Sequence, residues 1–278
     1  METIRDLFSL LKQMIYKVII EPFKPWGFFG SNVYFPLKMF LRRKGVGNDY
    51  YKKLIVLKNK HKGERCFIIA TGPSLTIEDL QMIRNEITVG ENSIFKIYDK
   101  LGWVPTYYVM ADPDLTRSII SNNDVDFNCF AKEYCIFNSV NRKEINCDNA
   151  LFIDMNWLDH VYRYGKSKKF KFNEDIRYGL YDCYSVTQLC ILIAIYMGFS
   201  DIYLLGADNN YLGDKQHFVS YNGEEKADRR TALLMQRAND MGYRYVRKVA
   251  EQHGVRLFNA TRGGNIKCLK RVSLEKII

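Results

Sequence analysis

Residues Arg65–Leu75 read RCFIIATGPSL, an apolar run of strand length that breaks into a turn of small residues. Cys66, Phe67, Ile68, Ile69 and Ala70 form the near-continuous apolar stretch of a strand covered on both faces, as in a parallel sheet. In the turn, Gly72 lets the backbone approach a ligand, Pro73 fixes φ, and Ser74 is placed to cap a helix beginning near Ile77. A helix N-terminus at the carboxyl end of a parallel strand presents unpaired N–H groups and the positive end of a dipole, which favour an anion. The turn lacks the three glycines of a dinucleotide fingerprint and the Gly-Lys-Ser/Thr of a P-loop. By itself it fits an ordinary strand-to-helix turn equally well.

The chain continues in the same alternation. Strands are expected at Ile87–Gly90, Thr106–Met110, Tyr134–Phe137, Leu151–Ile153, Asp201–Gly206 and Val255–Phe258. Helices are expected at about 76–85, over the apolar run Val186–Met197, and from Asp228 to His253, where Gly242 is a mild interruption. This is an α/β pattern, Rossmann-like and doubly wound, with a mostly parallel sheet and ligands at the carboxyl ends of its strands. The strand ends read TGPS, GENS, ADPD and GADNNY, all rich in groups that bond sugar hydroxyls and phosphates. Four such ends along one edge point to a polar cleft. The end Asn259–Gly264 adds Arg262 as a candidate.

The 278 residues carry a net charge of +10, and its position is informative. Residues 1–60 hold 12 Lys/Arg against 4 Asp/Glu, a net of +8, which leaves +2 for the remainder. Ile4, Leu7, Phe8, Leu11, Met14, Ile15 and Val18 follow helical spacing. Aromatic residues then mix with cations from Trp26 to Lys44. Residues 1–60 therefore read as a basic amphipathic extension, which binds either a membrane surface or another face of protein, in its own domain or in a homo-oligomer. Residues 61–278 form the Rossmann-like domain. No recognition motif for nucleic acid is present, and no run of about 18 apolar residues spans a membrane. Seven cysteines without metal-type spacing read as reduced, with Cys129, Cys135, Cys183 and Cys190 in or near the core of a cytoplasmic protein.

Gly72-Pro73-Ser74-Leu75 after a buried strand, Asn92 after the second, and Ser185 heading a helix that ends MGFSDIYLLGAD resemble the bacterial sialyltransferase family typified by the Campylobacter enzymes, and the flagellin-modifying proteins that share its domain. The resemblance covers about residues 63–260. It implies an inverting, metal-independent transfer of a nonulosonic acid from a CMP donor to an acceptor hydroxyl, and the basic, aromatic extension outside the resemblance adds the expectation of an enzyme peripheral to the inner membrane, acting on a surface glycan or glycolipid. It implies that Gly72 and Ser74, with Thr71 and Pro73 in the same turn, approach the nucleotide phosphate, although Thr71 stands where relatives more often carry glycine or asparagine, and that Asn92 binds phosphate or ribose. Ser185, Asp208 and Asn209 would face the nucleoside.

The resemblance places the chemistry in a lid at about 209–226, where His217 would take the acceptor proton and Tyr211 and Tyr221 would stabilise the departing phosphate. His160, near Trp157 and Tyr162, reads as a packing residue or as one that shapes the acceptor side. No cofactor is implied. The sequence departs from the family at Asp112-Pro113-Asp114, which reads either as an oxygen-ligand pair for Mg²⁺ or Mn²⁺ or as a cap on a helix at Leu115. Two alternatives follow: an ATP- and Mg²⁺-dependent enzyme resembling hydroxymethylpterin pyrophosphokinases, and a non-catalytic membrane-peripheral binding protein.

Overall fold

The computed structural model describes residues 29–47, 49–122, 125–156, 170–212, 218 and 228–278. Its centre is an eight-stranded sheet in which every pairing is parallel. β1 (Arg65–Ile69), β2 (Thr88–Glu91), β3 (Tyr107–Met110), β4 (Tyr134–Asn138) and β5 (Ala150–Ile153) run outward to one side. After a small parallel pair, β6 (Met155–Asn156) and β7 (Leu180–Tyr181), the chain crosses back. It then lays β8 (Asp201–Leu205) against the free side of β1, followed by β9 (Arg256–Asn259) and β10 (Lys270–Arg271). The direction of winding reverses between β1 and β8, and in open parallel sheets ligands bind at such a point.

Helices cover both faces. On one, α5 (Val186–Met197) and α6 (Arg229–Gln252) pack with Cys66 and Ile68 of β1. On the other, α2 (Ile77–Met82), α3 (Tyr98–Leu101) and α4 (Pro113–Asn122) pack with Phe67 and Ile69. The alternation of side chains along β1 thus divides one apolar run between two cores. α5 is buried along nearly its whole length, which explains its lack of a polar face. Gly242 has a packing reason. A Cβ there would overlap Gln188 Oε1 and the Cys183 carbonyl, so glycine lets α6 press onto the start of α5.

Residues before 60 pack partly with the sheet. A 3₁₀ segment, Asp49–Leu57, sends Leu54 and Leu57 into the same core as β1. α1 (Phe35–Arg43) buries Phe35, Met39 and Arg42. Arg42 pairs with the buried Asp154, which also accepts from Lys38 Nζ at 3.0 Å and from the Tyr50 hydroxyl at 2.8 Å. The opposite side of this segment leaves Val33, Leu37, Phe40 and Leu41 exposed. The amphipathic positions at Ile4–Val18 and the candidates His160, His217 and Tyr221 lie outside the described residues.

Three local expectations are corrected. Ser74 is not the cap of α2, because Thr76 Oγ1 accepts from the Asp79 amide at 3.1 Å and does that work. Asp114 does not cap α4. Asp112 Oδ1 accepts from the amides of Asp114 and Leu115 at 2.8 and 3.1 Å, starting the helix two residues earlier. Cys129 is exposed, since it closes a surface 3₁₀ turn, and all seven cysteines are free thiols. Among the described residues no helix is long and apolar enough to cross a membrane.

Candidate functional site

The carboxyl ends of β1, β2, β3 and β8 surround one cavity of about 260 Å³, lying at the reversal between β1 and β8. Thr71 and Gly72 come from the first end, Asn92 from the second, Asp112 from the third, and Asp208, Asn209 and Tyr211 from the fourth. Ser185 joins them at the head of α5. Eight of the residues singled out in the sequence therefore share one wall. Pro73 and Ser74 shape the turn beside it.

Ser74 and Asp208 bond each other across the switch point. Asp208 Oδ2 accepts from the Ser74 amide at 3.1 Å and from its hydroxyl at 2.8 Å. The Gly72 amide donates to the Gly206 carbonyl at 2.8 Å, and a Cβ on Gly72 would overlap both that carbonyl and Asp208 Oδ2. Gly264, at φ +82°, clears the Asp208 backbone in the same way, and the Asn265 amide donates to the Asp208 carbonyl at 2.6 Å. The glycines and Asp208 together join the loops after β1, β8 and β9 at the floor of the cavity.

The head of α5 faces this space. Ser185 holds the cap position with an extended backbone and no side-chain cap bond, so no side chain of the cap occupies the N–H groups of the first turn, whose residues Val186 and Thr187 line the cavity. Hydroxyls of Thr71, Ser185, Thr187 and Tyr211 line the same surface. Asn239 Nδ2 donates to the Tyr211 hydroxyl at 3.0 Å, holding the ring against α6. Asn209 Nδ2 donates to Asp240 Oδ1 at 2.7 Å, and because the carboxylate only accepts, this bond fixes which end of the amide faces inward. Of the four non-glycine residues at positive φ among those described, Asn92 (48°), Tyr184 (79°) and Asn209 (49°) are on this wall. Strained backbone concentrated in this way marks functional cavities.

Glu91, Tyr184, Thr187, Asn239 and Tyr243 line the cavity as well and were not singled out in the sequence. Glu91 was present in the quoted GENS end. Asn239 and Tyr243 stand one helical turn apart on α6, a spacing visible in the sequence although the direction of that face was not. Burial pushes the Glu91 carboxyl up to about 8. Burial also pushes the Tyr243 phenol above its ordinary range.

Arg262 is not on this wall. Its guanidinium is bonded to the buried Asp79 at 2.5–2.9 Å and to Glu275 at 2.7 Å, tying the loop after β9 to α2. Of the expected lid, Asn209, Asn210, Tyr211 and Leu212 are described, and so is Phe218, whose amide donates to the Thr71 carbonyl at 2.7 Å. The Asp112 and Asp114 carboxylates do not form a paired oxygen clamp for a divalent cation. Asp112 is engaged on the amides of α4, while Asp114 points to solvent and pairs with Arg117 at 2.9 Å. Among the described residues no group of three His, Cys, Asp or Glu side chains is arranged to hold a metal ion.

The family model described as 6-hydroxymethylpterin diphosphokinase MptE-like matches residues 47–214, more than half of the chain. The chain belongs to the MptE-like family. That match spans β1 to β8 and so contains most of the cavity. The MAf glycosyltransferase from Magnetospirillum magneticum AMB-1 is similar in structure, with 15% identity and a TM-score of 0.51 over 84% of this MptE-like chain. The chain spans 40% of that protein's length. The sialyltransferase CstII from Campylobacter jejuni, in complex with the substrate analogue cytidine-5'-monophosphate, gives 11% identity and a TM-score of 0.43 over 76% of this chain and 86% of its own. No curated protein matches. The likeness to MAf shows a shared doubly wound fold.

Proposed function

We propose that this chain is a glycosyltransferase that binds a nucleotide-activated sugar in the switch-point cavity. The observation carrying this reading is a pair of amide oxygens, Asn92 Oδ1 and Asn209 Oδ1, buried on the cavity wall with no hydrogen-bond partner among the described residues. A buried acceptor left unpaired costs about 1–3 kcal/mol, which a ligand donor would recover. Ribose hydroxyls and the amino group of cytosine are such donors. The head of α5, with the hydroxyls of Thr71 and Ser185, then suits the phosphate. The fold shared with the MAf glycosyltransferase and the sequence resemblance to sialyltransferases both favour glycosyl transfer, with a CMP-linked nonulosonic acid as donor.

In this reading the acceptor hydroxyl attacks the anomeric carbon as the bond to the CMP phosphate oxygen breaks, inverting the centre. The acceptor proton passes to His217, and Tyr211 and Tyr221 donate to the leaving phosphate. The acceptor is a glycan or glycolipid at the inner membrane, and the exposed apolar side of residues 33–41 with its neighbouring cations supports that location. The family description favours a second reading, diphosphate transfer from ATP with Mg²⁺. The separate engagements of Asp112 and Asp114 speak against it.

A thermal-shift screen with CMP, UDP, GDP, ADP and ATP, each with and without Mg²⁺, tests the choice. CMP at about a hundred times its Kd should raise Tm by roughly 5 °C or more without metal. A response confined to ATP with Mg²⁺ would establish the kinase reading instead.

A further inference from the structure

The wall of the cavity carries three carboxyl groups, Glu91, Asp112 and Asp208, and among the described residues no Lys, Arg or His. An anion entering it depends on N–H groups and hydroxyls, and meets carboxylates. Two of the three are already engaged: Asp112 accepts from the amides of α4, and Asp208 accepts from Ser74. Glu91 is different. It is 4% exposed, and no ion pair is formed to it among the described residues. Its two oxygens meet neutral groups of α5, accepting from Thr187 Oγ1 at 2.9 Å and facing Cys190 Sγ at 3.7 Å. Thr187 belongs to the same first turn that lines the cavity.

We propose that Glu91 sets the pH range over which this cavity accepts an anionic ligand: as the neutral acid it leaves the head of α5 attractive to a phosphate, and as the carboxylate it repels one. This rests on the reading of the cavity as a nucleotide site. Burial without a cation keeps the acid neutral until the pH reaches about 8. The groups facing it from the packed elements are Cys190 on α5, Tyr243 on α6 and, behind Cys190, Cys66 on β1. Asp112 after β3 and Asp208 after β8 complete the charged wall. Burial raises both thiols and the phenol well above their ordinary values, so none of the three ionises before Glu91 does.

Titration calorimetry of the full chain with CMP between pH 7 and 9.5 tests this. The phosphate of CMP, with a second pKa near 6, is about nine-tenths dianionic at pH 7 and more so above it, so its own charge changes little across that range and in the direction that would favour binding to N–H groups. The wild-type Kd should rise about ten- to a hundredfold across it, the repulsion expected of one added charge at short range. Glu91→Gln should bind with a flat profile. Thr187→Val removes a bond that lowers the Glu91 pKa and should move the midpoint to higher pH, giving a second readout if the glutamine variant folds poorly. CMP binding with a pH-independent wild-type Kd, or a Glu91→Gln profile as steep as the wild type, overturns the role of Glu91 alone. Failure of the wild type to bind CMP at pH 7 overturns the site reading and this inference with it.

Discussion

Asp208 and Arg262 both follow strands in the sequence, and both were candidates for ligand contact. Their side chains have separate work. Asp208 stays on the cavity wall and fastens the loop at Ser74, whereas Arg262 bridges Asp79 and Glu275 away from the cavity. Arg262→Ala leaves the buried Asp79 without its cation, and so should lower Tm while leaving the thermal shift with CMP unchanged. Loss of the CMP shift at retained Tm would return Arg262 to the site. The polar strand ends were legible because glycine, asparagine, serine and aspartate recur together at four ends along one edge of the sheet, where a single such end is ordinary turn chemistry. What each side chain touches was not legible. Ser74 to Asp208 and Arg262 to Asp79 join residues 134 and 183 positions apart, and nothing local encodes such pairs.

The helices and strands themselves were readable wherever an apolar run was long. Val186–Met197 is expected and found with the same ends, because an apolar run from Leu189 to Met197 is bounded by Gly198 in the left-handed region and preceded by Ser185 at the cap position. β6, β7 and β10 have two residues each and carry no periodic signal. Gly242 shows where propensity and packing part company. In an isolated helix, glycine to alanine adds about 1 kcal/mol of stability. Against the Cys183 carbonyl and Gln188 the added methyl has no room, so Gly242→Ala should destabilise by about 1–3 kcal/mol in urea denaturation. A gain in stability would show that α6 does not bear on α5 as closely as described. The same contact holds Asn239 and Tyr243 at the cavity, so the variant should also weaken the response to CMP.

At the scale of the molecule, basic charge and exposed apolar residues occur together before residue 60, while the ligand cavity lies at the reversal of the sheet. The full chain should cosediment with vesicles containing about 30% phosphatidylserine and dissociate in high salt. Leu37→Glu with Phe40→Glu should reduce that binding about tenfold or more without altering the CMP shift, since each removes an apolar contact worth about 1.5–3 kcal/mol. Equal sedimentation of both proteins would sink the membrane assignment. The pairing of β1 with β8 has a kinetic consequence. These neighbours enter the chain far apart, and Ser74 reaches Asp208 across 134 residues, so the loop between them must close before the pairing is rewarded. The strands from β1 to β5, each added beside its predecessor, need no such closure. The cavity floor therefore forms late in folding, and a nascent chain acquires most of its sheet before it acquires a place for its ligand.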